Sequence, residues 1–247
     1  MRLRTIIGLC VPFLLNGLLF SQETAEPTPV EVRILVVDEV GEGFALNRGE
    51  QEIIVCNHPY EISRPVRFLG GDRLELSTVA YRKDEDGELE AEFSRVGSIT
   101  VPEGSESVLI VFLPNKNRTE YFGRIYKDSD ANFPFGSLRV INLSPSAIAF
   151  AAGGDREFLE SGEVIVVSPE VDRKNRFLLK VADKKSDEWN ILLNSVEVLR
   201  PSDRITGLVI YSPSGMRHTM TSAEIRMFGE PKPGNYWIDF RERRADP

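Results

Sequence analysis

From Val30 onward the chain is written in apolar or alternating runs of roughly four to eight residues, each bounded by Gly, Pro, Asn, Asp or Ser. Runs of that length and punctuation predict β-strands. In the first half they fall at Val32–Val37, Glu52–Cys56, Arg73–Tyr81 and Ser107–Leu113. In the second they fall at Leu138–Leu143, Ala147–Ala151, Glu163–Val167, Phe177–Val181, Trp189–Leu193, Gly207–Tyr211 and Tyr236–Phe240. Leu74, Leu76, Thr78 and Ala80 alternate with charged or polar neighbours as far as Val79, the pattern of an antiparallel strand with one wet face. Strand follows strand at roughly 8 to 15 residue intervals, which predicts an all-β protein built of antiparallel sandwiches and argues against βαβ units. Only Thr221–Phe228 reads as a short helix, with Thr221 or Ser222 as N-cap.

A weak internal repeat suggests how the strands are divided. The segment Val101–Pro114 matches Arg200–Pro213 at a constant offset of 99, with the prolines and Leu109/Leu208 coinciding around an apolar strand. Upstream, Arg33-Ile34-Leu35-Val36 and Arg139-Val140-Ile141-Asn142 match at an offset of 106. Two tandem β-sandwiches of about 100 residues are the simplest account, with one large β-sandwich as the alternative. The expected organisation is a signal peptide at 1–21, a flexible leader at 22–30, a first sandwich at 31–127, a linker at 128–132, a second sandwich at 133–240 and a charged tail at 241–247.

The linker ends in Phe133-Pro134-Phe135-Gly136-Ser137-Leu138-Arg139-Val140-Ile141-Asn142-Leu143-Ser144-Pro145. This stretch resembles a segment of uncharacterised exported bacterial β-sandwich proteins, in which R-V-x-N-x-S-P opens an Ig-like domain. The resemblance covers about a tenth of the chain and implies an Ig-like fold and export; the family carries no assigned activity or catalytic residues, so the resemblance says nothing of function. Physically, Pro134 and Gly136 suit a turn, Phe133 and Phe135 suit the edge of a core, and a strand follows from Leu138.

Composition narrows the location. Arg2 and Arg4 precede an uncharged apolar run from Ile6 to Phe20, the form of a secretory signal peptide with cleavage after Ser21. The run is interrupted by Pro12, Asn16 and Gly17, and falls short of the roughly 20 apolar residues of a spanning helix. No integral membrane segment is therefore expected after cleavage. The mature chain would carry 28 basic and 38 acidic side chains, net −10. With no basic stripe interleaved with aromatics, a nucleic-acid partner is not expected. Cys56 would be the single mature cysteine, so no internal disulfide forms, and export without disulfides fits a bacterial envelope, periplasmic or cell-surface.

Candidate chemistry is sparse. There are two histidines, His58 and His218, and no G-x-S-x-G, H-E-x-x-H or Walker motif. Cys56 and His58 form a C-x-H pair without a second ligand pair, so structural roles are expected for both. Asp128, Asp130 and Asn132 place oxygens at positions 1, 3 and 5 of an EF-hand-like calcium loop, but Phe133 replaces the glycine of position 6 and Arg139 the glutamate of position 12. Asp84-Glu85-Asp86-Gly87-Glu88 reads as a hairpin turn, because Asp-Gly supplies positive backbone angles. Glu157, Glu160, Glu163, Asp183, Asp187 and Glu188 read as solvated edge and turn charges. Trp189, Tyr236 and Trp237 are candidate sugar-stacking aromatics, and alternation in Tyr236–Phe240 makes Trp237 the expected exposed contact.

These features lead to a non-catalytic exported protein, without cofactor, that presents loops or edge strands to an envelope protein or surface component. Two alternatives stay open: a carbohydrate-binding or carbohydrate-active protein, and a periplasmic chaperone-like assembly factor. Against the latter, the chain shows no convincing anchor pair of arginine and lysine.

Overall fold

The computed structural model describes residues 28–37, 43–48, 53–56, 61–84, 87–185, 188–211 and 223–231. Trp237, His58, His218, the Tyr236–Phe240 strand, the signal segment and the tail lie outside them. Among the described residues there are sixteen strands and no helix. The first eight are β1 (Pro29–Val36), β2 (Phe44–Asn47), β3 (Ile53–Cys56), β4 (Val66–Leu69), β5 (Arg73–Lys83), β6 (Leu89–Thr100), β7 (Ser107–Pro114) and β8 (Tyr121–Lys127). The second eight are β9 (Leu138–Asn142), β10 (Ile148–Ala152), β11 (Asp155–Leu159), β12 (Val164–Val167), β13 (Arg176–Lys185), β14 (Glu188–Val198), β15 (Asp203–Tyr211) and β16 (Ala223–Pro231). The protein is all-β, as the run pattern predicts.

The second eight strands repeat the first eight, element for element. In the first half β4-β1-β7-β8 run side by side, with β1 antiparallel to β4 and parallel to β7. In the second half β12-β9-β15-β16 do the same, with β9 antiparallel to β12 and parallel to β15. The remaining strands form β3-β2-β5-β6 and β11-β10-β13-β14, each wholly antiparallel and each with a bulge in its long hairpin. A lone pair, Gly97 opposite Tyr121, joins β6 to β8 and makes the first half one eight-stranded sheet folded on itself. A Cβ at Gly97 would sit 2.6 Å from the Tyr121 carbonyl oxygen, so this corner requires glycine. Arg33 faces Leu109 and Arg139 faces Thr206. With the two arginines matched, β7 and β15 correspond two residues away from the offset of 99, a slip that keeps every side chain on its own face.

Three apolar layers lie between four four-stranded leaves, two of them the halves of the folded eight-stranded sheet. Ile34, Phe44, Leu46, Leu74, Ile110 and Phe112 fill the first half. Leu138, Val140, Phe150, Leu179 and Val209 fill the second. The middle layer joins the halves: Leu35, Leu109, Val111 and Tyr126 pack with Ile141, Leu208 and Ile210. The strands β1, β7, β9 and β15 are thus buried on both faces, which is why they read as near-continuous apolar runs.

Several expectations are corrected. Pro29 and Val30 belong to β1, and Val30 is fully buried, so the leader does not extend to residue 30. Thr221–Phe228 is not helical where described; Ala223–Pro231 forms a nine-residue ladder with β15, whose open edge outweighs the local capping signal. In β5, Ser77 and Val79 are buried as well as Leu74 and Leu76, so the strand has no continuous wet face. β5 and β6 pair as a hairpin that closes at Lys83 opposite Leu89, as the Asp-Gly reading predicts; Gly87 has φ of 84° and the Glu88 amide donates to Asp84 Oδ1 at 2.8 Å.

Candidate binding site

The segment expected to be a linker is instead the centre of a buried charge cluster. Asp128 is 1% exposed and stands between the two middle sheets. Arg33 of β1 donates to its Oδ2 through Nε at 2.7 Å and also through Nη2. Arg139, the matching residue of β9, donates to Oδ1 through Nη1 at 2.9 Å and to Thr206 Oγ1 through Nη2 at 2.9 Å. Arg204 Nη1 donates to the Asp128 and Phe133 carbonyls, and its Nη2 stands 3.7 Å from Asp128 Oδ2. The guanidinium of Arg139 lies 4.2 Å from the Phe133 ring centre, and that of Arg204 lies 4.9 Å from Phe133 and 5.0 Å from Phe135. Carbonyl dipoles, ring faces and the outlying Asp130 therefore share with Asp128 the neutralisation of three guanidinium groups.

This geometry decides what the three calcium candidates do. Asp128 is already held by arginines, which would repel a cation. Asp130 is mostly exposed and lies 3.7 Å from Arg204, and Asn132 donates to Ser129 Oγ at 2.7 Å. Among the described residues no group of three or more His, Cys, Asp or Glu is placed to hold a metal ion. Asp128 and the arginines that hold it anchor the connection between the halves. The signal that identifies them is an arginine inside a doubly buried strand, which demands a buried carboxylate somewhere else in the chain.

Among the acids, Glu157, Glu160, Glu163 and Glu188 are exposed as expected, and Asp187 lies outside the described residues. Asp183 is corrected. It is 2% exposed on the inner face of β13, where Asn190 Nδ2 donates to it at 3.0 Å, so it is a core polar group and not an edge charge.

The surface of interest is the outer face of β11-β10-β13-β14. Alternation places Phe177, Leu179, Val181 and Asp183 inward and Arg176, Leu178, Lys180, Ala182 and Lys184 outward. Across the sheet, Phe158 lies opposite Ala149, Ala149 opposite Ala182, and Ala182 opposite Ile191. Over this floor of small side chains the rings of Phe158 and Trp189 meet from the two edge strands, 5.9 Å apart at 48°. Phe158, Trp189 and Ile191 are 71%, 45% and 67% exposed, and Leu178, Val196 and Val198 form a second exposed apolar group beyond the Lys180–Asn194 row. Sequence reading singled out Trp189 but had no means of pairing it with Phe158, whose strand it did not predict.

Two residues along the strands the chemistry changes. The row Arg156, Ala151, Lys180 borders an open groove of about 550 Å3, walled by Gly153, Gly154, Glu170, Val171 and Asp172. Gly153 has φ of 61°, and a Cβ there would lie 2.6 Å from the Glu170 carbonyl oxygen, so glycine lets the wall close against the strand turn. Arg176 holds Asp172 through Nε and Nη2 at 2.9 and 2.7 Å, while the amides of Lys174 and Arg176 bond its other oxygen. Arg156 and Lys180 are exposed and form no ion pair among the described residues.

The hydrogen bonds and charge of Arg176 hold the Asp172 carboxyl down to about 2. Because the folded pKa lies below the ordinary value of 3.8, the wall is favoured above that value and loosens as pH falls through about 2. Carboxyl NMR titration is expected to give an Asp172 midpoint near 2, rising toward the ordinary value in Arg176→Gln.

The corresponding sheet of the first half offers no comparable opening at its centre, where the outward Ala45, Ser77 and Val79 are 1%, 8% and 4% exposed. Among the described residues no helix is long and apolar enough to cross a membrane. No protein-family model matches the sequence, and a search of curated proteins returns no match.

Proposed function

We propose that this chain is an exported, non-catalytic binding protein that engages a polypeptide partner of the bacterial envelope through the outer face of β11-β10-β13-β14. The observation that carries the reading is the exposed Phe158, Trp189 and Ile191 set over alanines beside the Arg156–Lys180 groove. A monomer rarely leaves a contiguous apolar patch in water unless something covers it. Export is supported by the signal-like first 21 residues and by the lack of a possible disulfide in the remainder. A glycan-binding reading is second, favoured by the aromatic pair alone. The flanking aliphatic residues Leu178, Val196 and Val198 suit apolar peptide side chains better than sugar hydroxyls.

The test is cross-linking of the tagged chain in its native envelope with mass-spectrometric mapping of the joined residues. Adducts with one stoichiometric protein, mapping between residues 156 and 198, are expected. A chain that remains uncrosslinked, or whose adducts map to the first eight strands, contradicts the proposal.

A further inference from the structure

We infer that the face recognises an extended segment carrying an acidic side chain flanked, two residues to either side, by apolar ones; this rests on the binding reading above and specifies its ligand. The argument is one of spacing and charge. Rows on a sheet face recur every second residue, about 6.6–6.8 Å apart, and an extended peptide repeats its side chains with the same period. Along β13 the rows run Ala182, Lys180, Leu178. The first lies in the row between Phe158 and Ile191, the second between Arg156 and Asn194, and the third faces Val196 on β14. The face therefore presents apolar, cationic and apolar chemistry in steps that a peptide lying along the strands matches without kinking.

Charge selects the central residue. Three cations line the groove, Arg156, Arg176 and Lys180, against Glu170 and Asp172. Arg176 is tied to Asp172, which leaves Arg156 and Lys180 facing Glu170, with Lys184 two rows away, past the Ala182 row. A cationic centre on a chain of net charge −8 is a local feature that favours a carboxylate-bearing ligand and disfavours a basic one. Ala151, between Arg156 and Lys180, leaves the cationic row low enough for a carboxylate side chain to reach both cations.

The probe is a fluorescein-labelled nine-residue peptide, Ser-Thr-Phe-Thr-Asp-Thr-Val-Thr-Ser, titrated against the purified protein by fluorescence polarisation. Comparison probes are its lysine-for-aspartate analogue, a scrambled peptide of the same composition, and a galacturonic acid hexamer. Binding of the first peptide is expected, weakened by at least about tenfold in Lys180→Glu and in Arg156→Glu and likewise in Phe158→Ser, with unchanged thermal midpoints. Equal binding of the lysine or scrambled peptide overturns the inference. So does absence of binding, or binding of the uronate hexamer alone, which assigns the face to an acidic glycan. If the peptide fails while envelope cross-links still map to residues 156–198, the ligand assignment is wrong and the binding face stands. If those cross-links are also missing, both fall.

Discussion

Replacing Asp128 by asparagine is expected to destabilise the protein by about 3–5 kcal/mol, the cost of leaving buried charge without its counter-charge. The substitution preserves size, so packing alone would predict almost no effect. Its consequence is electrostatic. Arg33 and Arg139, 9% and 1% exposed, would keep their positive charges beside a neutral amide, one end of which is a donor turned toward donors. Urea unfolding checks this through a lowered midpoint with an unchanged slope. A loss within about 0.5 kcal/mol, typical of a surface site, would mean that the cluster is not buried in solution.

The second large effect is expected in the layer between the halves. Leu35→Ala and Leu208→Ala should each cost about 2–5 kcal/mol, because both side chains are fully buried and their removal leaves a cavity. They lie on the faces of β1 and β15 turned away from each half's own core. If the halves were joined only by residues 128–132, these leucines would be surface residues and their truncation would cost about 0.5 kcal/mol or less. Denaturation of the two single variants and of the double variant separates the cases, since residues sharing a cavity are non-additive.

What could be read from the chain follows the physics of each element. The strands buried on both faces were legible because burial selects runs such as Ser107–Leu113 and Leu138–Leu143, and β7 and β9 lie where those runs predict. β6 and β11 were not, because their exposed positions carry Glu90, Glu92, Asp155 and Arg156, and their strand state comes from a hairpin partner. β4 is four residues long and is fixed by its ladder with β1. The repeat was visible through Arg33 and Arg139, yet their joint function was hidden. Nothing in the local sequence of either says that both reach the same aspartate, 95 and 11 residues away. The candidate binding face was the least legible part. Phe158, Ala149, Ala182 and Ile191 become neighbours only through three strand pairings, and an exposed phenylalanine has the same letter as a buried one.

The most direct test of the binding face is the yield of the envelope partner adduct in a chain carrying Phe158→Ser, Trp189→Ser and Ile191→Ser together. All three side chains are exposed, so the variant is expected to keep the wild-type unfolding free energy within about 1 kcal/mol while the adduct disappears. An adduct formed at wild-type yield by the folded variant would contradict the account and place the partner elsewhere on the protein.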